Sequence, residues 1–247
     1  MIPRGRYTPG QEPQCLCEFD ASNQWGLWTD DARTTRVTSP SQQIAVLDDR
    51  TGNGRHARQT SATRRPTYTI TSGNPGVTFD GVDDSLRVNA FAWGNIQKYE
   101  LWCVCTPTAF VANYGILAQL DTSYTNTGAV LMYMRYNSLS MFRYSPSTQL
   151  GTGEIGAGIH LCRGTVDTTI DGSAQSEVVP YVDGYIGTVL LSKADSTYAV
   201  GTRAFEISPA TLPFAGIIHH VAVFSGLLDA ATASRVSRFF KSKWGTP

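Results

Sequence analysis

The residues of this chain that can carry acid–base chemistry are few and scattered. Glu occurs six times, at 12, 18, 100, 154, 177 and 206. A retaining glycosidase needs two carboxyl groups about 5–5.5 Å apart, which a strand supplies through acids at i and i+4 on one face. None of the six lies in such a pattern, so no catalytic residue is assigned and a non-enzymatic protein is expected. His56, His160, His219 and His220 fare no better. Consecutive residues of a regular strand face opposite sides, so His219 and His220 are not expected to hold one metal, and no G-x-S-x-G, H-E-x-x-H or phosphate-cradling loop accompanies them.

Cys15/Cys17 and Cys103/Cys105 form C-x-C pairs. In regular strands each pair shares a face, and four sulfurs meet if the strands lie side by side or across a core. Structural zinc usually takes C-x₂₋₄-C spacing, however, and cysteine often serves as a small buried hydrophobe. The fifth, Cys162, leaves an odd count that does not resemble a secreted disulfide framework, so free thiols in a reducing compartment are expected. Asp80, Asp83 and Asp84 offer oxygens to a hard cation but lack a defined loop pattern; their simpler use is to accept turn amides. No metal or cofactor is assigned.

Two groups of residues suit binding. Arg50, Arg55, Arg58, Arg64 and Arg65 form a basic segment with no acid between Arg50 and Asp80. Arg55, Arg58, Arg64 and Arg65, with Arg4, Arg6 and Tyr7 near the N-terminus, are taken as candidate contacts to a neighbouring subunit, because guanidinium groups pair with carboxylates bidentately. Tyr133, Arg135, Tyr136, Arg143 and Tyr144, on two adjacent strands, are the candidate glycan-binding residues, since aromatic faces and planar polar groups suit sugars as well as protein interfaces.

The elements that must position these residues read as a β protein. Of 247 residues, 41% are hydrophobic and 16% charged, and Lys plus Arg balance Asp plus Glu at 20 each. Zero net charge argues against nucleic acid as partner, and no run of about 18 apolar residues exists for a membrane span; no Sec-type leader is read at the N-terminus. Short alternating segments recur between turn signals, including Thr67–Ile70, Tyr99–Thr106, Ile159–Val166 and Ala215–Phe224. Asp183-Gly184 reads as a type I′ hairpin turn. One helix is predicted from Asp229 to about Lys243, with Asp229 as cap and Ala233, Val236 and Phe240 on one face. Residues 1–14, with three Pro and two Gly, read as an extended arm without a core of its own, and residues 15–247 as one domain.

The stretch Asp49-Arg50-Thr51-Gly52-Asn53-Gly54-Arg55-His56-Ala57, followed by Phe79-Asp80-Gly81-Val82-Asp83-Asp84-Ser85-Leu86, resembles the concanavalin A-like lectin/glucanase superfamily, more narrowly the laminin-G-like domains of bacteriophage and prophage structural proteins. Phe19-Asp20-Ala21-Ser22 with Trp28 to Thr35, Tyr181 to Gly184, and Ile217 to Gly245 extend the likeness over nearly the whole chain after residue 15. The resemblance implies a two-sheet antiparallel jelly-roll sandwich with a short C-terminal helix, in agreement with the strand pattern. It further suggests a virion structural protein of a tailed phage, assembled in the host cytoplasm. The expected form is a head decoration or cement subunit whose arm clasps the major capsid protein or another virion subunit, as a homo-oligomer, a trimer by capsid symmetry. The alternative is an adhesin module that binds host surface glycans.

Overall fold

A computed structural model describes residues 7–109, 113–120, 130–135, 138–143, 150–170, 178–186, 188–191 and 199–247. In chain order its strands are β1 (Cys15–Asp20), β2 (Leu27–Trp28), β3 (Val46–Leu47), β4 (Ala57–Arg58), β5 (Thr67–Thr71), β6 (Asn74–Asp80), β7 (Leu86–Ile96), β8 (Lys98–Pro107), β9 (Asn113–Leu120), β10 (Val130–Arg135), β11 (Ser138–Arg143), β12 (Leu150–Glu154), β13 (His160–Asp167), β14 (Val178–Val182), β15 (Tyr185–Ile186), β16 (Thr188–Leu191), β17 (Val200–Ile207) and β18 (Ala215–Ser225), followed by helix α1 (Ala230–Trp244). One sheet runs β15-β14-β13-β8-β18-β6-β5, with β1 also paired to β18; the other runs β16-β12-β11-β10-β9-β17-β7-β4-β3-β2. Every pairing between these strands is antiparallel. The chain is therefore the expected all-β two-sheet sandwich with a C-terminal helix.

Alternation decides the layers. In β8, Tyr99, Leu101, Cys103 and Cys105 enter the core between the sheets, while Trp102 and Val104 face the other way and pack under α1 with Ala233, Val236, Phe240 and Trp244. Strand β18 is buried on both faces, in keeping with the apolar residues that flank its two histidines. Full burial of Val236 and Phe240 stabilises the docked helix by about 1.5–3 kcal/mol each. Asp229 caps α1 through the Thr232 amide at 2.9 Å, and Asp183 and Gly184, both at positive φ, close the β14–β15 hairpin as expected.

Two expectations drawn from regular strands fail at bulges. The register of β1 shifts between Cys15 and Cys17, which sends Cys17 into the sandwich core and Cys15 under the helix, so this pair does not share a face. A second shift at Ile218–His220 brings both histidine rings against Trp244, at 5.3 and 6.0 Å, where opposite faces were expected. After the hairpin the chain changes sheets, β15 belonging to one and β16 to the other.

Residues 7–14 do not leave the domain. Pro9 is buried in a short 3-10 turn, Tyr7 meets Phe239 of α1 edge-on at 5.9 Å, and Glu12 pairs with Arg235 at 2.8 Å. The extended arm expected over residues 1–14 is thus, from residue 7 onward, a packed part of the fold; residues 1–6, with Arg4 and Arg6, lie outside the described residues.

Candidate functional site

The layer between β1, β18 and α1 holds an unusual set of charges. Strand β1 places Phe19 in the core and turns Glu18 and Asp20 to the helix side, where Asp20 lies opposite His220 in the ladder. Glu18 is fully buried and Asp20 and His220 nearly so. Buried charges need partners, and both acids here have them, while His220 Nδ1 makes no hydrogen bond. His220 Nε2 meets Glu18 Oε1 at 2.9 Å, the Gly10 amide donates to Glu18 Oε2 at 3.0 Å, and His220 Nδ1 lies 3.6 Å from Asp20 Oδ1. Asp20 also accepts from the Ser22 hydroxyl at 2.6 Å and from Lys243 Nζ at 2.6 Å, and it pairs with Arg50.

Burial alone would raise the Asp20 pKa, but the charges of His220 and Lys243 and the hydrogen bonds of Lys243 and Ser22 outweigh it and hold the carboxyl well below the usual carboxylate range. The Lys243 pKa is lowered as well, which for an ammonium disfavours the charge. Its own burial, reinforced by Arg50, lowers its pKa against the pull of Asp20. The pairing thus favours the Asp20 charge more than that of Lys243.

The loop carrying Arg50 is built by the motif residues singled out in the sequence. Asp49 accepts from the amides of Glu18, Thr51 and Arg55 at 3.0–3.2 Å, Asn53 donates to the Leu16 carbonyl at 3.0 Å, and Gly52 turns the chain at φ +84°. The motif therefore fixes Arg50 beside β1. Above Asp20 a cleft of about 570 Å³ opens between residues 7–8, the turn after β1 and the C-terminal half of α1. Its lining combines two aromatic rings, Tyr7 and Phe239, with Asn23, Arg50, Lys243 and the hydroxyls of Thr8, Ser22 and Ser242 around Asp20. Apolar faces next to a few fixed polar groups are the usual makeup of a small-molecule site.

A second cleft, of about 330 Å³, lies on the opposite flank of α1. There Arg163 stacks between Trp102 and Tyr181, 4.9 Å from each ring, and forms a two-pronged ion pair with buried Glu100 at 2.7 and 3.0 Å. Glu100 also accepts from Trp102 Nε1 and the Leu228 amide.

Of the candidate glycan residues, Tyr133 is the one whose side chain is described. Tyr133 is only 8% exposed and packs with Ala118, Leu131 and Leu212, because the segment carrying Leu212 folds over that part of the sheet. Arg135 and Arg143 lie in the ladder opposite Ser138 and Val130; their side chains, and Tyr136 and Tyr144 altogether, fall outside the described residues. The candidate subunit contacts that lie among the described residues have partners within the chain. Arg55 donates to the Leu16 carbonyl at 2.7 Å and covers the Phe91 ring, Arg58 pairs with Asp31 at 2.8 Å, and Arg64 approaches Asp83 at 3.7 Å. Arg65 binds the carbonyls of Gln59, Thr29 and Thr60. The missing acids are supplied by Asp20, Asp31 and Asp83, and carbonyl oxygens do the rest.

The remaining candidates are engaged in structure. Asp80 accepts the amides of Val82, Asp83 and Asp84, as its turn-forming reading requires, and Asp84 accepts that of Asp80 at 3.1 Å. Burial and the Asp80 charge push Asp84 up to about 6. The carboxylate oxygens of the three lie within 4.8 Å of one another. His219 sits between the Pro75 carbonyl and Thr106, His160 is held by Asp183 at 2.7 Å, and His56 lies between Asp48 and Arg33. All five cysteines are free and buried. Cys105 and Cys162 approach to 3.9 Å inside the core, on neighbouring strands, where the sequence had suggested Cys15 and Cys17 as partners. Among the described residues no helix is long and apolar enough to cross a membrane.

The sequence reading missed the Glu18–His220–Asp20–Lys243 layer. The available signal was two acids at alternate positions of an otherwise apolar strand, Cys15-Leu16-Cys17-Glu18-Phe19-Asp20, and a histidine pair inside the mostly apolar β18.

No family model and no curated protein sequence matches the chain. Among solved structures it is similar to domain 4 of AbnA, a GH43 extracellular arabinanase from Geobacillus stearothermophilus, in complex with arabinotriose, with a TM-score of 0.53 and 12% identity over 91% of this chain and 98% of that one. It is also similar to the Trypanosoma rangeli sialidase in complex with sialic acid, at TM-score 0.57 and 13% identity, covering 100% of this chain and 36% of that one. A third similarity is to the botulinum neurotoxin type G receptor binding domain, at TM-score 0.59 and 11% identity, covering 95% of this chain and 54% of that one. The chain thus spans about a third of the sialidase and about half of the neurotoxin domain. At these identities the likeness shows the fold, a β-sandwich.

Proposed function

We propose that this chain is a non-catalytic carbohydrate-binding β-sandwich module whose sugar site is the cleft over Asp20. The observation that carries the reading is the lining of that cleft. Tyr7 and Phe239 offer rings to the apolar face of a sugar, and Asn23, Arg50 and the serine hydroxyls surround them with fixed hydrogen-bonding groups. The fold gives support at a distance, since one similar structure, matched over 91% of this chain, is a complex with arabinotriose. Catalysis is disfavoured by the chemistry of the two acids. Asp20 is kept ionised by its cations, and Glu18 is sealed against His220 and the Gly10 amide and does not line the cleft, so neither is placed as the protonated acid that glycoside cleavage requires.

This reading favours the expected alternative, a glycan-binding adhesin, over a capsid cement subunit. The cement reading rested on a short chain, an arm able to clasp a neighbour and the lack of a fibrous shaft, with the arginines as candidate subunit contacts. Residues 7–14 pack on their own helix, and Arg55, Arg58, Arg64 and Arg65 are bonded within the chain. The test is a glycan array followed by titration calorimetry, with Tyr7→Ala and Asn23→Ala as variants. Saccharide binding weakened tenfold or more in both, with thermal stability within about 1 kcal/mol of wild type, supports the site. Absence of any saccharide binding, or binding that both variants leave unchanged, overturns it.

A further inference from the structure

Resting on that reading, we infer that the cleft takes an acidic saccharide, a sugar bearing a carboxylate that docks on Arg50 and Lys243. Both cations converge on the same oxygen of Asp20, Oδ2, so two positive groups share one negative charge at the floor of the cleft. Glu18, the other acid of β1, acts on Lys243 less than Asp20 does. Glu18 is fully buried, turned to His220 and the Gly10 amide, and absent from the lining. Glu12, which borders the same segment, is bound by Tyr7 and Arg235.

The cations remain accessible while the carboxylate does not. The side chain of Asp20 is 1% exposed, against 30% for Arg50 and 23% for Lys243. Among the described residues the Arg50 guanidinium makes one hydrogen bond, from Nη1 to Asp20, which leaves the rest of its planar fork for a second carboxylate, the geometry for which Arg is suited. Lys243 has donors beyond the one directed at Asp20, and its ammonium lies 5.5 Å from the Phe239 ring centre, next to the surface proposed to receive the sugar ring. A ligand carboxylate set between the two cations completes a pair of anions facing a pair of cations, with its hydroxyls toward Asn23 and Ser242.

The test compares matched methyl glycosides, galactose with galacturonate and glucose with glucuronate, by calorimetry at low and high salt, with a sulfated galactoside as a further arm, on wild type and Lys243→Met. Acidic sugars binding at least tenfold tighter than their neutral partners, with the difference shrinking in high salt and disappearing in Lys243→Met, supports the inference. Equal affinity for acidic and neutral sugars overturns it and leaves the carbohydrate reading intact. Tight binding of the sulfated sugar alone overturns the carboxylate assignment, and binding of none of the glycosides overturns both readings. Should Lys243→Met fail to fold, the wild-type preference and its salt dependence decide the matter.

Discussion

Replacing Asp20 by Ala probes the charged layer under α1 directly. The change leaves Lys243 and Arg50 without their shared carboxylate and His220 with one acid in place of two. Breaking a buried ion pair from one side costs about 3–5 kcal/mol when the remaining charge stays buried. Here the two cations keep side-chain exposures of 23% and 30% and can turn toward water, which places the cost at the lower end, about 3 kcal/mol. For a chain of this length that corresponds to a fall in Tm of roughly 6–12 °C. Lys243→Met should cost less, about 1 kcal/mol, because Asp20 keeps Arg50 and the Ser22 donors. The double variant should be no less stable than Asp20→Ala alone, since removing Lys243 also removes a stranded charge; the cycle then shows coupling of about 1 kcal/mol. The sign with pH follows from linkage. A carboxyl whose pKa is lowered by folding contributes its stabilisation above its ordinary value of 3.8 and loses it as pH falls below that value toward the folded pKa. The gap between wild type and Asp20→Ala should therefore be full at pH 7 and shrink below about pH 4. Guanidinium unfolding followed by tryptophan fluorescence measures each quantity. A cost for Asp20→Ala under about 0.5 kcal/mol, or a gap that stays constant into acid, would refute the reasoning.

Asp84 should behave in the opposite sense. Its pKa is raised to about 6, by burial first and then by the Asp80 charge, so its ionisation costs stability at neutral pH and that cost is relieved as pH falls through about 6 toward 3.8. Asp84→Asn should raise Tm at pH 7 and leave it unchanged near pH 4, as differential scanning calorimetry can check. Phe240→Ala removes the side chain that packs on both Trp102 and His220 and should lower unfolding free energy by about 3–5 kcal/mol, measured by the same denaturation; a loss under about 1 kcal/mol would mean that α1 is not docked as described. All five cysteines are buried, so a disulfide reagent for free thiols should report none in the native protein and five after unfolding. Rapid native reaction would place a thiol at the surface.

The parts legible in the sequence are those governed by short-range pattern. The alternation of Tyr99, Leu101, Cys103 and Cys105 gave β8 and its core face, Asp183-Gly184 gave the hairpin, and Asp229 with Val236 and Phe240 gave α1 and the face it buries. Strands with weak patterns escaped. Strand β12, Leu150-Gly151-Thr152-Gly153-Glu154, carries two glycines, β2 and β4 have two residues each, and β17 was missed as well. The bulges at Cys15–Cys17 and Ile218–His220 leave no local mark, yet each re-aims side chains. The cleft was illegible for a related reason, since Asp20, Arg50 and Lys243 are brought together by packing from positions as far as 223 residues apart. What could have been read was the cost of Glu18, Asp20 and His220 in strands that are otherwise apolar, which demands partners from elsewhere in the chain.

The central claim is that the cleft over Asp20 is where a saccharide binds. It is tested most directly by an amide NMR titration of the isotope-labelled chain with the tightest-binding saccharide from the array. The account predicts that the largest shift changes fall on residues 7–8, 22–23, Arg50 and the Phe239–Lys243 turn of α1. Changes confined to β10 and β11 around Tyr133, to the Trp102–Arg163–Tyr181 cleft, or to no residue at saturating sugar would contradict it.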